Sequence, residues 1–320
     1  MKMTIRNIKG LDGTNLHVED QNPKTGSTGG SVPFVLLDGI GCDGYVWKYI
    51  NDKFQDTRRI IHPHYRGHGL SAPPEDMERL TIQDLCDDLD CVLKACKVRK
   101  AILFGHSMGV QVALDYTGRH PGKVAGLVLL TGAPGRPLDT FHDTGLLKAF
   151  FPQILNAISS APGLAQLLWS AVLPTKLSWE VARRTEINGQ LVKYEDFMPY
   201  LEHLSHMDIE IFTKMLYHAS NHSAEEYLAT IKAPTLIIAG ERDTFTPLWL
   251  SHKMHRLIPG SELLVLPGGS HTGPIEHPEL INLRLEKWLL KNFDKKKKKQ
   301  GSPKTRRREK AGHASSRNSR

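Results

Sequence analysis

Short apolar runs alternate along the chain with longer stretches of helical periodicity. The runs are Val32–Leu37, Arg59–Ile61, Ala101–Phe104, Val124–Leu130, Thr235–Ala239 and Glu262–Leu266. Each is nearly continuous in apolar character, the pattern of strands covered on both faces of a parallel sheet. Between them, the spacing predicts helices near 45–54, 81–96, 107–120, 247–258 and 276–292. Residues 4–20 read as an antiparallel pair at the sheet edge, joined to the rest by a Pro/Gly/Ser-rich segment, 21–31. The β-α-β alternation predicts an α/β fold with a mostly parallel, doubly wound sheet.

The alternation stops once. From 133 to 228 helical periodicity continues without a convincing strand, and the sheet pattern resumes at Thr235. An all-helical insertion has to cover something, and the C-terminal edge of the strands, where such sheets bind ligands, is the surface open to it. The expected organisation is a core from 1–132 and 233–294, a helical cap insertion from 133–232, and a disordered basic tail from 295–320.

Charge changes this picture only at the tail. The chain of 320 residues has a formal net charge of +8, yet residues 295–320 alone hold twelve Lys or Arg against one acid. The rest of the chain is therefore slightly acidic, and no basic binding face belongs to the fold. Lys295–Lys299 followed by Arg306–Arg308 has the form of a two-part nuclear-import signal. The same charges suit nucleic acid or an anionic membrane, and a solvated charge run is the plain alternative. The four cysteines, Cys42, Cys86, Cys91 and Cys96, match no zinc-ligand spacing and read as free thiols of a reducing compartment. The first ten residues lack the apolar segment and cleavage site of a secretory signal, and no run approaches the ~20 apolar residues that span a bilayer. A cytoplasmic location is expected, or a nuclear one through the tail.

The candidate chemistry starts at Gly105-His106-Ser107-Met108-Gly109, between an apolar run and a helical stretch. A serine on a sharp strand-to-helix turn is lifted above its sheet, and flanking glycines relieve the crowding of such a turn. Ser107 is the candidate nucleophile; a capping or turn serine is the bland alternative. A serine hydroxyl needs a base to take its proton, and an imidazole needs a carboxylate to fix its tautomer. Gly240–Asp243 and Gly268–His271 each follow a predicted strand and supply Asp243 and His271. The chain order Ser, Asp, His is the order in which successive parallel strands deliver such a triad to one sheet edge. Glu241 is a rival acid. His277, before Pro278, reads as structural and His106 as packed support. His62, His64 and His68 cluster through a loop, with metal binding the lesser reading.

In register, these motifs resemble the α/β-hydrolase superfamily, in its esterase- and lipase-like serine-hydrolase branch with a helical cap. The resemblance covers about 32–132 and 233–292. It implies Ser107 as nucleophile, Asp243 as acid and His271 as base, with the backbone N–H groups of Ile40 and Met108 as oxyanion donors. Asp38–Gly41 matches a loop that usually reads His-Gly-x-x, and His64–Ser71 matches the segment Asp-x-Arg-Gly-x-Gly-x-Ser. Two residues depart from the pattern. His64 replaces the aspartate, and Asp38 replaces the loop histidine, where a carboxylate opposes a developing oxyanion unless it is neutralised or turned away. Arg66 or a nearby histidine could neutralise it; alternatively it points away and only backbone amides face the substrate. The resemblance implies hydrolysis of a small-molecule carboxylic ester through an acyl-enzyme, with no metal or organic cofactor. Large apolar residues in 145–151 and 164–173 suit either a lipophilic acyl pocket or cap packing. Thioester hydrolysis, perhydrolysis and carbon–carbon hydrolysis use the same triad and stay open, as does a non-catalytic binding module working through the tail.

Overall fold

The computed structural model describes residues 2–23 and 31–294, so the basic tail and the middle of the Pro/Gly/Ser-rich segment lie outside the described residues. An edge hairpin of β1 (Lys2–Lys9) and β2 (Asn15–Asn22) is antiparallel, and β2 also pairs antiparallel with β4 (Ile60–Pro63). From there the sheet is parallel: β4, β3 (Phe34–Leu37), β5 (Ala101–His106), β6 (Val124–Leu130), β7 (Thr235–Gly240) and β8 (Glu262–Leu266). The order β1-β2-β4-β3-β5-β6-β7-β8 is that of a doubly wound sheet.

The continuous apolar runs have a simple cause. Successive strand residues point to opposite faces, and here both faces are covered. Val35, Leu37, Ile61 and Leu103 pack with α2 (Ile82–Ala95) and α3 (Met108–Arg119), and α10 (Leu248–Leu257) joins that layer through Met254. Phe34, Leu36, Ile60 and Phe104 pack on the other side against α1 (Lys48–Phe54) and α12 (Pro278–Asn292). Thr81 caps α2 with Asp84 in a reciprocal capping box, an arrangement that contributes ~1 kcal/mol. Strand β8 is only half-buried because it forms the far edge.

Two helices start differently from their predicted bounds. The stretch 45–54 opens as a 3-10 turn, Tyr45–Trp47, before α1. The stretch 276–292 divides into a short helix α11 (Gly273–Glu276) and α12, with His277 non-helical between them. Pro278 explains the break, since a proline pushes the residue before it out of the helical region and is itself well placed at a first helical position.

Between β6 and β7 the chain is helical: α4 (Pro137–Thr140), α5 (Leu146–Ser160), α6 (Pro162–Val172), α7 (Lys176–Thr185), α8 (Tyr194–His206) and α9 (Ile209–Asn221). Residues of α8 and α9 wall the cavity that contains Ser107, so the insertion covers the C-terminal edge of the strands. Among the described residues no helix is long and apolar enough to cross a membrane.

Candidate active site

Ser107 is the single residue between the end of β5 and the start of α3, with φ 53° and ψ −118°. A side chain there is strained by about 1–3 kcal/mol, so its surroundings must hold it. Its N–H donates to the Leu130 carbonyl of β6 at 3.1 Å. The flanking glycines permit the close approach of strand and helix. A Cβ on Gly105 would lie 2.4 Å from the Gly109 carbonyl oxygen, and one on Gly109 only 2.1 Å from that of Leu37. The Gly-x-Ser-x-Gly spacing is thus a packing requirement of this turn.

The three side chains chosen from sequence come together. His271 Nε2 lies 2.9 Å from Ser107 Oγ, and its Nδ1 lies 3.0 and 3.1 Å from the two oxygens of Asp243. Asp243 is buried and further accepts Phe245 N and Thr246 N, each at 2.9 Å, and the Thr246 hydroxyl at 2.7 Å. Burial opposes its ionisation, but the charge and hydrogen bond of His271 and the bonds from Thr246 outweigh that and hold its carboxyl below the ordinary value. The His271 ring packs between Phe245 and His106, with ring centres 4.9 and 5.2 Å away. His106 is held neutral, its pKa pushed down to about 4 by burial and then by His271, and its Nε2 donates to the His271 carbonyl at 3.2 Å. Glu241 is exposed and accepts the Gly268 amide at 2.7 Å instead of meeting His271.

The loop after β3 resolves the question of Asp38. This carboxylate is fully buried and accepts the Trp47 indole N–H at 2.6 Å and His62 Nε2 at 2.7 Å. Burial alone would raise its pKa, yet the charge and hydrogen bond of His62 lower it below the ordinary value. His62 is correspondingly raised to about 10: burial opposes its charge, and Asp38, then Glu19, outweigh the burial. Arg66 plays no part in this, because it is spent on Asp88, Asp12 and the Arg79 carbonyl. Asp38 therefore sits behind the loop, while Gly39 comes forward. A Cβ on Gly39 would be 3.0 Å from both Ser107 Cβ and His106 Nδ1. The next turn is braced by His68, whose Nε2 accepts the Gly41 amide at 3.0 Å.

The histidine cluster is thus divided among separate tasks. His64 takes the Leu70 amide on Nδ1 at 3.0 Å and is pushed down to about 4 by burial and the charge of His62. Ligand atoms of His17, Glu19 and His64 approach within 4.8 Å of one another. With Nδ1 of neutral His64 used as an acceptor, its Nε2 carries the proton and is a donor, which does not fit a metal ligand.

Ser107, His271, Ile40 and Met108 border one cavity of about 280 Å³. Its other walls are mainly apolar and include Ile187, Phe197, Leu201 and Phe212 of the cap. Sequence reasoning missed Glu276. This buried acid accepts Ser270 N at 2.6 Å, Ser270 Oγ at 2.5 Å, Thr272 Oγ1 at 3.0 Å and the amide of Asn188 at 3.0 Å. It clamps the residues on both sides of His271 and ties them to the segment after α7. In the linear sequence it looks like an ordinary acid in the first turn of a helix.

Comparison with known proteins agrees with this architecture. A family model described as alpha/beta hydrolase fold matches residues 32–278. The dihydrolipoyllysine-residue acetyltransferase component of the acetoin cleaving system of Pseudomonas putida is 28% identical over 264 residues, 82% of this chain and 65% of the relative. Protein ABHD8 of Bos taurus is 25% identical over 280 residues, 86% of this chain and 60% of the relative. The chain therefore spans less than two thirds of the length of these curated relatives. Among solved structures, a thermophilic esterase from Thermogutta terrifontis superposes with a TM-score of 0.71 at 22% identity, over 91% of this chain and 99% of the other. The esterase RhEst1 from Rhodococcus sp. ECU1013 gives 0.72 at 21% identity, over 91% and 100%. The family match takes in the turn at Ser107 and the loops carrying Asp243 and His271, and the chain belongs to the alpha/beta hydrolase fold family.

Proposed function

We propose that the protein is a serine hydrolase that cleaves carboxylic esters of apolar acyl groups through an acyl-enzyme. The observation that carries this reading is the unbroken hydrogen-bonded line Asp243–His271–Ser107 bordering a cavity with apolar walls. His271 takes the Ser107 proton on Nε2 as Oγ bonds to the ester carbonyl carbon. The N–H groups of Ile40 and Met108 receive the negative charge on oxygen, where each such donor is worth about 10²–10³ in rate. The tetrahedral species collapses as His271 gives its proton to the departing alcohol. Water then attacks the acyl-enzyme by the same route, the acid leaves, and Ser107 regains its proton. Asp243 fixes the tautomer that presents Nε2 to the serine and balances the imidazolium charge. The division into a core and a cap from 133–232 belongs to this proposal, with the cap supplying the acyl pocket.

A fluorophosphonate probe together with nitrophenyl esters from acetate to laurate tests the reading. Labelling should occur at Ser107 and vanish in Ser107→Ala, and hydrolysis should collapse in His271→Ala and Asp243→Asn. Wild-type rates in both of the latter variants would overturn the triad. Faster turnover of matched thioesters would move the substrate class while leaving the triad in place.

A further inference from the structure

Helix α6 is built inside out. Its polar side chains face the protein: Gln166 donates to the Met207 carbonyl at 3.2 Å and accepts Ile209 N at 3.0 Å, Trp169 donates to the Leu204 carbonyl at 2.6 Å, and Ser170 to that of Ser205 at 2.8 Å. Positions 166, 169 and 170 form one helical face. The opposite face carries Leu164, Leu167 and Leu168, which are 59, 65 and 56% exposed. A surface helix in water does the reverse. Helix α5, which packs beside α6, also exposes Leu146 and Phe150, both 60%, and α7, which follows α6 in the chain, exposes Leu177, 67%. Single exposed leucines are ordinary, but an apolar face spread over adjoining helices marks a contact surface.

We propose that this outer face of α5–α7 seats on a lipid bilayer. Its chemistry favours lipid over a protein partner. Neither α5 nor α6 contains an acid, and α6 has no charged residue of either sign. Of the cations in 144–185, Lys148 pairs with Asp139 at 2.8 Å and Arg183 and Arg184 pair with Glu180, so the face itself is close to neutral. An apolar face joined to a strongly cationic segment is a composition that suits the headgroup plane of anionic membranes. The helices are too short or too polar to span, so they lie on the surface. The twelve cations of residues 295–320 add the second, electrostatic signal that interfacial attachment requires. The insertion that carries this face also walls the cavity beside Ser107, through residues of α8 and α9.

The inference is independent of the esterase reading, because binding is measured without turnover. Full-length protein is sedimented with vesicles of phosphatidylcholine, alone or with phosphatidylserine, at low and high salt. Wild type and Ser107→Ala should bind alike, more strongly to the anionic vesicles, and retain a salt-resistant fraction on the neutral ones. The double variant Leu167→Asp/Leu168→Asp, and separately Phe150→Ser, should lower partitioning to neutral vesicles by at least about tenfold and about threefold respectively. Circular dichroism and melting temperature check that both variants are folded, and Phe150→Ser keeps the test open should the double variant fail to fold. Unchanged partitioning in the folded variants would overturn the proposal. So would no binding by wild type, or a concentration-dependent dimer that the variants abolish and vesicles do not compete with.

Discussion

His62 lies 2.7 Å from Asp38, and the pair sits under the loop that brings Ile40 to the cavity. Both members are buried, and each is stabilised chiefly by the other, with Glu19 and the Trp47 indole as lesser partners. Removing one partner of a buried ion pair typically costs about 3–5 kcal/mol. His62→Ala should lose an amount in that range by urea denaturation. Asp38→Asn should lose less, because the amide oxygen still accepts the Trp47 N–H and no orphan anion remains. With the folded pKa of His62 raised to about 10 from an unfolded value near 6.5, the pair's contribution is full from above the carboxylate range to about pH 6.5 and is lost as pH rises through about 10. Equal losses in the two variants at pH 6 would show that the pair is not ionised.

Three other histidines act in the opposite direction on pH. His64, His68 and His106 are buried and held near 4, mainly by desolvation. The unfolded chain takes up their protons at about pH 6.5, the folded chain only near 4. Stability should therefore fall as pH drops from about 6.5 to 4, each histidine adding a slope of up to ~1.4 kcal/mol per pH unit. Unfolding free energies across that range in wild type and His68→Asn check this, the variant being expected to show the shallower slope.

Glu276 touches none of the reacting groups but fixes the loop that presents His271. Glu276→Gln keeps the volume and replaces one acceptor oxygen with a donor that faces the backbone N–H of Ser270 or of Asn188. A displacement of about 1 Å at a catalytic group can cost ~10²-fold. The expected outcome is a fall in kcat of about 10–100-fold with KM within about threefold, measured on a soluble short-chain ester. A lowered melting temperature with kcat unchanged would mean that Glu276 only stabilises the fold.

What could be read from the sequence was whatever local sterics and periodicity dictate. Val35 and Phe34 are both apolar because they enter opposite cores, so a strand buried on two sides was visible as a run. The turn at Ser107 was visible because its glycines meet backbone that no side chain could approach. The neutralising partner of Asp38 was open between Arg66 and a histidine, since the choice depends on β4 lying beside β3 in the sheet and on where Arg66 finds its own carboxylates. Glu276 was not visible, because its four bonds reach residues whose proximity is set by the loop after β8 and by the cap. The inversion of α6 was equally hidden: periodicity identifies a helix with two faces, but only the carbonyls of Leu204, Ser205 and Met207 show which face turns inward.

The apolar cavity makes a quantitative claim about acyl chain length. Each methylene buried contributes ~0.8 kcal/mol, or about fourfold in kcat/KM, for as long as the pocket has room. A cavity of about 280 Å³ has to fill, so kcat/KM should climb along the ester series and then level or fall. Leu201 of α8 is buried and lines this space from the side of the insertion. Leu201→Trp should shift the break to chains shorter by about two or three methylenes, leaving acetate hydrolysis within about threefold of wild type. Leu201→Ala should shift it to longer chains, at a stability cost of about 2–5 kcal/mol from the space left behind. If the three proteins break at the same length, the acyl group does not lie along this wall, and the chain must leave Ser107 by another side of the cavity.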